Sequence, residues 1–278
     1  MDFILLLKKI ILGIIQGITE ILPISSSGHL LIFSKLLNID SNGLSLIIFL
    51  HFGSLVAMII YYRKTIWNII TSLFKYIFQK NRDEECKYYC KLFLLMVVAS
   101  IPAGIIGLCL GDIIDSYFTS LYYVFAFLII TGILLLINQK LTEKKSLKDI
   151  SYIDALEIGL FQSIGVLPGI SRSGITIFGG KVAKLNNEEA ANFSFLLFLP
   201  VTLGSFIWKI ISEYQFIFSQ PTEILIGDFI AVIIAGFTTF IAVKVLFKVI
   251  KKGKLHYFSY YCVLVALLGV IICLISSY

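Results

Sequence analysis

Pro168-Gly169-Ile170-Ser171-Arg172-Ser173-Gly174 interrupts an apolar stretch that runs from Ile153 to Val182. Proline, glycine and serine all disfavour a continuing helix, while the flanks are as apolar as a membrane span. Irregular, polar backbone at membrane depth is tolerated only where protein or a water-filled cavity covers it. The stretch therefore reads as two half-helices joined by a polar tip, a re-entrant hairpin. A second stretch, Ile10 to Leu37, is broken in the same way by Pro23-Ile24-Ser25-Ser26-Ser27-Gly28.

The rest of the chain fits this membrane reading. Of 278 residues, 58% are hydrophobic and 14% charged, with mean hydropathy +0.95. A soluble domain carries about 25% charged residues, so there is too little polar side chain here to cover a water-facing surface. The composition also excludes a disordered chain, a coiled coil and nucleic-acid binding through a basic face. Six segments read as spans: Leu44 to Tyr62, Leu92 to Leu110, Leu121 to Ile137, Phe193 to Ile211, Ile224 to Phe247 and Tyr257 to Tyr278. Each is near the roughly 20 residues that an apolar core about 30 Å thick requires. Trp67 to Phe78 reads as an amphipathic helix on the cytoplasmic surface. Five cysteines without paired spacing argue against a disulfide framework, and no cleavable signal peptide is expected at the start.

The two broken stretches match one another. A shift of 146 positions places Gly13, Gln16, Ile18, Ile24, Ser25, Ser27 and Gly28 on Gly159, Gln162, Ile164, Ile170, Ser171, Ser173 and Gly174. Phe52-Gly53-Ser54 is echoed more weakly by Leu203-Gly204-Ser205. The chain is thus expected to form one membrane domain of two repeats, 1–150 and 151–278. The loops Arg63 to Lys91, Lys140 to Lys148 and Lys248 to Lys254 are basic, whereas Asp112 to Ser120 and Ser212 to Glu223 hold no Lys or Arg. The positive-inside rule makes the basic loops cytoplasmic. One hairpin then enters from outside and the other from the cytoplasm, giving inverted-topology repeats. Lys8 and Lys9 fall on the wrong side. The expected fold is all-α and integral to the membrane, with six transmembrane helices and two re-entrant hairpins.

Ionisable groups inside apolar segments are costly and mark function. The chain has three arginines, and Arg172 is the one placed at a break, between two serines. Its planar fork of donors suits phosphate; the competing reading is a buried ion pair with Glu20 that pins the hairpins together. Glu20, Ser25, Ser26, Ser27 and His29 gather at the first break, a set suited to phosphoryl transfer. There the serines bind oxygens, attack, or only satisfy freed backbone groups, and His29 serves as base or nucleophile. Gln16 and Glu20, one helical turn apart, either share a divalent cation or form a hydrogen-bonded pair. Thr176 either binds phosphate or bonds back to its own helix. Ser171 and Ser173 flank the arginine. His51 and His256 read as structural or interfacial, and Asp112, Asp115 and Asp228 as solvated. The type-2 phosphatidic-acid phosphatase signature is excluded, because the position of its second histidine is Phe178 and no Arg-Pro pair occurs.

Gln16-Gly-Ile-Thr-Glu20-Ile-Leu-Pro-Ile-Ser-Ser-Ser-Gly-His29 resembles the first signature of the bacterial undecaprenyl-diphosphatase family linked to bacitracin resistance. Pro168-Gly-Ile-Ser-Arg-Ser-Gly-Ile-Thr176 resembles the second, and Asn192-Phe-Ser-Phe-Leu-Leu the run that follows it. The resemblance covers essentially the whole chain. It implies a multi-pass enzyme of the bacterial inner membrane, with its active site opening outward. Such an enzyme hydrolyses undecaprenyl diphosphate to undecaprenyl phosphate and inorganic phosphate, recycling the lipid carrier of cell-wall synthesis. It implies dependence on a divalent cation, Mg²⁺ or Ca²⁺, at Glu20 with Gln16, although the neutral Gln16 weakens that pair as a ligand set. It further implies catalytic roles for Glu20, Ser26, His29 and Arg172, and phosphate contacts from Ser25, Ser27, Ser171, Ser173 and Thr176. The expected partners are a polyprenyl diphosphate and the membrane, with no nucleic acid; a homodimer is compatible with the reading. A transporter or flippase for an anionic lipid or small anion is the alternative, since inverted repeats with broken helices are the usual build of secondary transporters.

Overall fold

The computed structural model describes residues 2–39, 43–215 and 219–276. Among them eleven helices account for the fold: α1 (Phe3–Ile21), α2 (Ser26–Leu36), α3 (Gly43–Tyr61), α4 (Arg63–Phe78), α5 (Glu84–Tyr117), α6 (Leu121–Asn138), α7 (Tyr152–Ile164), α8 (Arg172–Val182), α9 (Asn187–Ser212), α10 (Thr222–Lys251) and α11 (His256–Ser276). The only extended pairing among these residues is a single bridge between Lys145 and Leu185. Helices α5, α6, α9, α10 and α11 are long and apolar enough to cross a membrane. A sixth crossing results if α3 and α4, bent by 73° at Tyr62, count as one broken span. The last expected span ends at Tyr278, which lies outside the described residues.

Both broken stretches fold as helix–break–helix. A serine at each break, Ser25 and Ser171, caps the start of the next helix. Ser25 Oγ accepts the Gly28 N–H at 3.2 Å, and Ser171 Oγ accepts the Gly174 N–H at 3.1 Å. Such caps satisfy donors that a new helix start leaves free. The matched positions are matched in geometry too: Ser25 Oγ lies 3.3 Å from Ser27 Oγ, and Ser171 Oγ lies 3.2 Å from Ser173 Oγ.

Each first half-helix packs on a long helix from the other half of the chain, α1 along α10 and α7 along α5. The contacts are at backbone distance. A Cβ on Gly17 would stand 2.4 Å from Ala235 O, and one on Gly159 would stand 2.5 Å from Ala99 O. Only glycine admits that approach, which is how small residues drive helix association where the hydrophobic effect is absent. The two tips then meet: Ser173 Oγ donates to Leu22 O at 3.3 Å, and a Cβ on Gly28 would lie 3.3 Å from Gly169 Cα.

Two helices brace the tips from behind. Thr131 of α6 donates to Gly169 O at 3.1 Å and accepts the Ser171 N–H at 3.0 Å. Tyr261 of α11 bonds His29 at the first tip at 2.9 Å. Trp67, Ile70, Phe74 and Phe78 are exposed along α4, whereas Ile69 and Ser72 are buried, so the helix is two-faced as expected.

Asp228 departs from expectation. It is 3% exposed rather than solvated, paired with Lys9 at 2.5 Å. Lys9 also donates to Ile224 O at 2.9 Å. A lysine neutralised in this way loses its weight as a topology signal, which removes half of the conflict in the loop charges.

The Gly17 contact sets a stability test. Gly17→Ala must push α1 off α10 and should cost about 1–3 kcal/mol, read as a lower melting temperature in detergent. Gly204→Ala, where a Cβ meets nothing within 4 Å, should leave the melting temperature unchanged or slightly raised.

Candidate active site

A cavity of about 730 Å³ opens where the tips meet. Glu20, Ser26 and Ser27 line it from the first hairpin, and Ser171, Arg172 and Ser173 from the second. Six of the ten residues expected at the site thus share one wall. From there the cavity runs between α5 and α9 past Gly104, Gly107, Gly111 and Gly204 to Asp112, Asp115 and Lys209.

Glu20 and Arg172 face each other across the tips and form an ion pair. The pinning reading of Arg172 is therefore correct as geometry, and it does not exclude binding. Nη1 donates to Thr202 Oγ1 at 2.8 Å, Nη2 holds Glu20 Oε1, and the guanidinium lies 4.3 Å over the Phe198 ring. Arginine has five N–H donors in a fork, so others remain for an anion in the cavity. Glu20, with a side chain 2% exposed, uses its other oxygen for Ser26. Ser26 Oγ donates to Oε2 at 2.5 Å, and Gln16 Nε2 donates to the same atom at 2.9 Å. A carboxylate accepting a serine proton at that distance, on a cavity wall, is placed to activate the hydroxyl.

The other four expected residues stand behind the wall. His29 is 2% exposed and both ring nitrogens are engaged. Nδ1 donates to Ser25 O at 2.8 Å, and Nε2 takes the Tyr261 hydroxyl at 2.9 Å. Ser25 has φ 69° and ψ 95°, a backbone state that costs of order 1–3 kcal/mol in a non-glycine residue. His29 thus clamps the strained residue that turns the chain toward Ser26, rather than reaching the cavity. Thr176 Oγ donates to Arg172 O at 2.8 Å and lies against Ser194 Oγ, so it bonds back to its own helix. Gln16 is fully buried behind Glu20.

Sequence reasoning passed over His51. Its Nδ1 donates to Ile47 O at 2.9 Å, its Nε2 lies 3.5 Å from Glu20 Oε2, and the ring lines the cavity. An imidazole inside an apolar span is the signal that marks it, by the same rule that singled out His29. Thr202 carried no such signal, since a lone threonine in a span is ordinary.

For a divalent cation the donor set is small. Among the described residues no three His, Cys, Asp or Glu side chains converge. Glu20 reaches the cavity, and Gln16 Oε1 is buried with no hydrogen-bond partner. The one cavity-facing carboxylate fits an ion that takes few protein oxygens and completes its shell with phosphate and water, as Mg²⁺ does.

Comparison with known proteins gives the family. The family model described as Bacitracin resistance protein BacA matches residues 9–268. The undecaprenyl-diphosphatase of Methanococcus maripaludis (strain C6) is 41% identical over 259 residues, 93% of this chain and 96% of that protein. The undecaprenyl-diphosphatase of Thermosipho africanus is 39% identical over 267 residues, 95% and 98% of the two chains. Undecaprenyl-diphosphatase 2 of Bacillus thuringiensis is 37% identical over 272 residues, 97% and 98%. The match runs through both tips and every helix that braces them, and the chain belongs to the BacA bacitracin-resistance family.

Proposed function

We propose that the chain is an undecaprenyl-diphosphate phosphatase: it hydrolyses undecaprenyl diphosphate to undecaprenyl phosphate and inorganic phosphate in the membrane, serving cell-wall synthesis. The observation that carries this is the Ser26–Glu20–Arg172 set at the cavity floor. It combines a hydroxyl nucleophile, a carboxylate that accepts its proton and a guanidinium with donors to spare. The relatives named undecaprenyl-diphosphatase support the same reading. A transporter binding site has no use for a serine held against a carboxylate, so nothing favours that alternative.

The diphosphate sits at the tips, and the prenyl chain follows the groove between α5 and α9, where the four glycines leave room. Ser26 Oγ attacks the terminal phosphorus while its proton passes to Glu20 Oε2. The bond to the bridging oxygen breaks, and undecaprenyl phosphate leaves with that oxygen. Glu20 passes that proton on to the departing oxygen, so it is a free carboxylate again when water enters. Water then attacks the phosphoserine phosphorus, its proton passes to Glu20, and Glu20 returns that proton to Ser26 Oγ as the Oγ–P bond breaks and inorganic phosphate leaves. Arg172, with the Ser27, Ser171 and Ser173 hydroxyls, holds the equatorial oxygens as charge redistributes. Ser25 and Thr176 hold the two tips in shape, and His29 positions the first. A Mg²⁺ or Ca²⁺ ion would be held by Glu20, with Gln16 beside that carboxylate. When bound it supplies charge neutralisation of the diphosphate.

The full arrangement in this reading is six crossings and two re-entrant hairpins in inverted repeats, 1–150 and 151–278. The exchanged contacts of α1 with α10 and α7 with α5 support it. In this arrangement α4 lies on the cytoplasmic surface. The cavity mouth at Asp112 and Asp115 belongs to the end without basic loops, which makes it the outer face of a cytoplasmic membrane. The partners are the lipid substrate and the membrane, with a homodimer compatible and no nucleic acid.

Purified protein in detergent with a long polyprenyl diphosphate should release phosphate. Arg172→Ala and Glu20→Ala should each reduce kcat at least a hundredfold. Release preserved in Arg172→Ala rejects the assignment, and liposome flux without phosphate release would establish the transporter. Chelation should abolish release and added Mg²⁺ or Ca²⁺ restore it. For topology, single cysteines at Asn38 and Asn186 should label from opposite sides of the membrane, and labelling from one side refutes the inverted hairpins.

A further inference from the structure

The carboxylate of Glu20 has to present one oxygen to Arg172 and the other to Ser26, so its plane must be fixed. Part of what fixes it lies away from the cavity. Gln16 Nε2 donates to Glu20 Oε2 at 2.9 Å and reaches Ser54 Oγ at 3.4 Å. Ser54 Oγ in turn accepts from Thr239 Oγ1 at 2.9 Å. Gln16, Ser54 and Thr239 are each completely buried. They come from α1, α3 and α10, and they end on the carboxylate that carries the proposed chemistry.

The direction of this chain matters. An amide side chain can present either nitrogen or oxygen, and only the nitrogen is attractive to a carboxylate. Ser54 Oγ, standing as an acceptor beside Gln16 and itself held by the Thr239 hydroxyl, favours the orientation with nitrogen toward Glu20. Gln16 Oε1 is consequently left without a hydrogen-bond partner. A buried acceptor left unpaired is costly, so the orientation is maintained against a penalty. With Ser54 removed, Nε2 keeps only Glu20 as acceptor and the amide loses the second contact that fixes its position. The carboxylate is then less firmly aligned on Ser26, whereas Arg172 keeps its contacts with Thr202 and Phe198.

We propose that Ser54 and Thr239 are positioning residues that act through Gln16 to orient Glu20 toward Ser26. The inference rests on the phosphatase reading. It predicts a loss in turnover rather than in substrate binding, because three of the four groups assigned to the phosphate, Ser171, Arg172 and Ser173, are on the other tip.

The test is steady-state phosphate release from a polyprenyl diphosphate by the purified full chain. Ser54→Ala should lower kcat about tenfold and change KM less than twofold, as expected for the loss of one orienting hydrogen bond. Thr239→Val should lower kcat about threefold and Thr239→Ser, which keeps the hydroxyl, should restore it; this pair carries the test if Ser54→Ala does not fold. In a Gln16→Ala background, Ser54→Ala should cause no further loss, since coupled residues are non-additive. Unchanged kcat in Ser54→Ala and Thr239→Val overturns the proposal while leaving the phosphatase reading intact. So do fully multiplicative effects of Gln16→Ala and Ser54→Ala, the pattern expected of independent structural contacts. Absence of release by the unmodified protein overturns the phosphatase reading and this inference together.

Discussion

The contact between Glu20 and Arg172 is the constraint on which the rest of the structure depends. Each sits at a break in an apolar helix, and neither is tolerable there alone. Their pairing requires the two tips to meet, and the meeting requires each half-helix to lie close against a long helix of the opposite half. The glycine contacts at Gly17 and Gly159 allow that approach. The remaining polar groups of the tips then have fixed neighbours, Thr131 at one and Tyr261 at the other.

In the proposed reaction the same pair prepares the tips for a phosphate. The diphosphate is a strongly charged group that has to be received in a low-dielectric setting. Arg172 is already oriented by Thr202, Phe198 and Glu20, so little further ordering is needed when an anion arrives. Glu20 divides its two oxygens between the cation and the serine, which places charge stabilisation and proton acceptance on one rigid unit. His29 contributes at one remove, holding Ser25 in the strained conformation that presents Ser26.

Much of this was legible in the sequence because charge is scarce in it. With so few ionisable residues in apolar segments, Glu20 and Arg172 stood out, and the serine clusters marked the breaks. The hydropathy of the long spans located α5, α6, α9, α10 and α11 directly. What could not be read was direction. His29 and His51 are both imidazoles in apolar stretches, and only tertiary contacts decide that His51 faces the cavity and His29 faces Tyr261. Thr202, Ser54 and Thr239 are single hydroxyls in spans and become meaningful only through partners far away in sequence. Lys9 and Asp228, separated by the whole bundle in sequence, could not be recognised as a neutral pair from loop counting.

The phosphoenzyme tests the central claim most directly, that the hydroxyl held by Glu20 beside Arg172 performs the transfer. A polyprenyl diphosphate labelled in its terminal phosphate would be mixed with the protein, quenched in acid within the first turnover, and digested for mass spectrometry. The account predicts label on the peptide carrying Ser26, absent in Ser26→Ala along with turnover. Label that passes to free phosphate with none on Ser26, and normal turnover in Ser26→Ala, would contradict it.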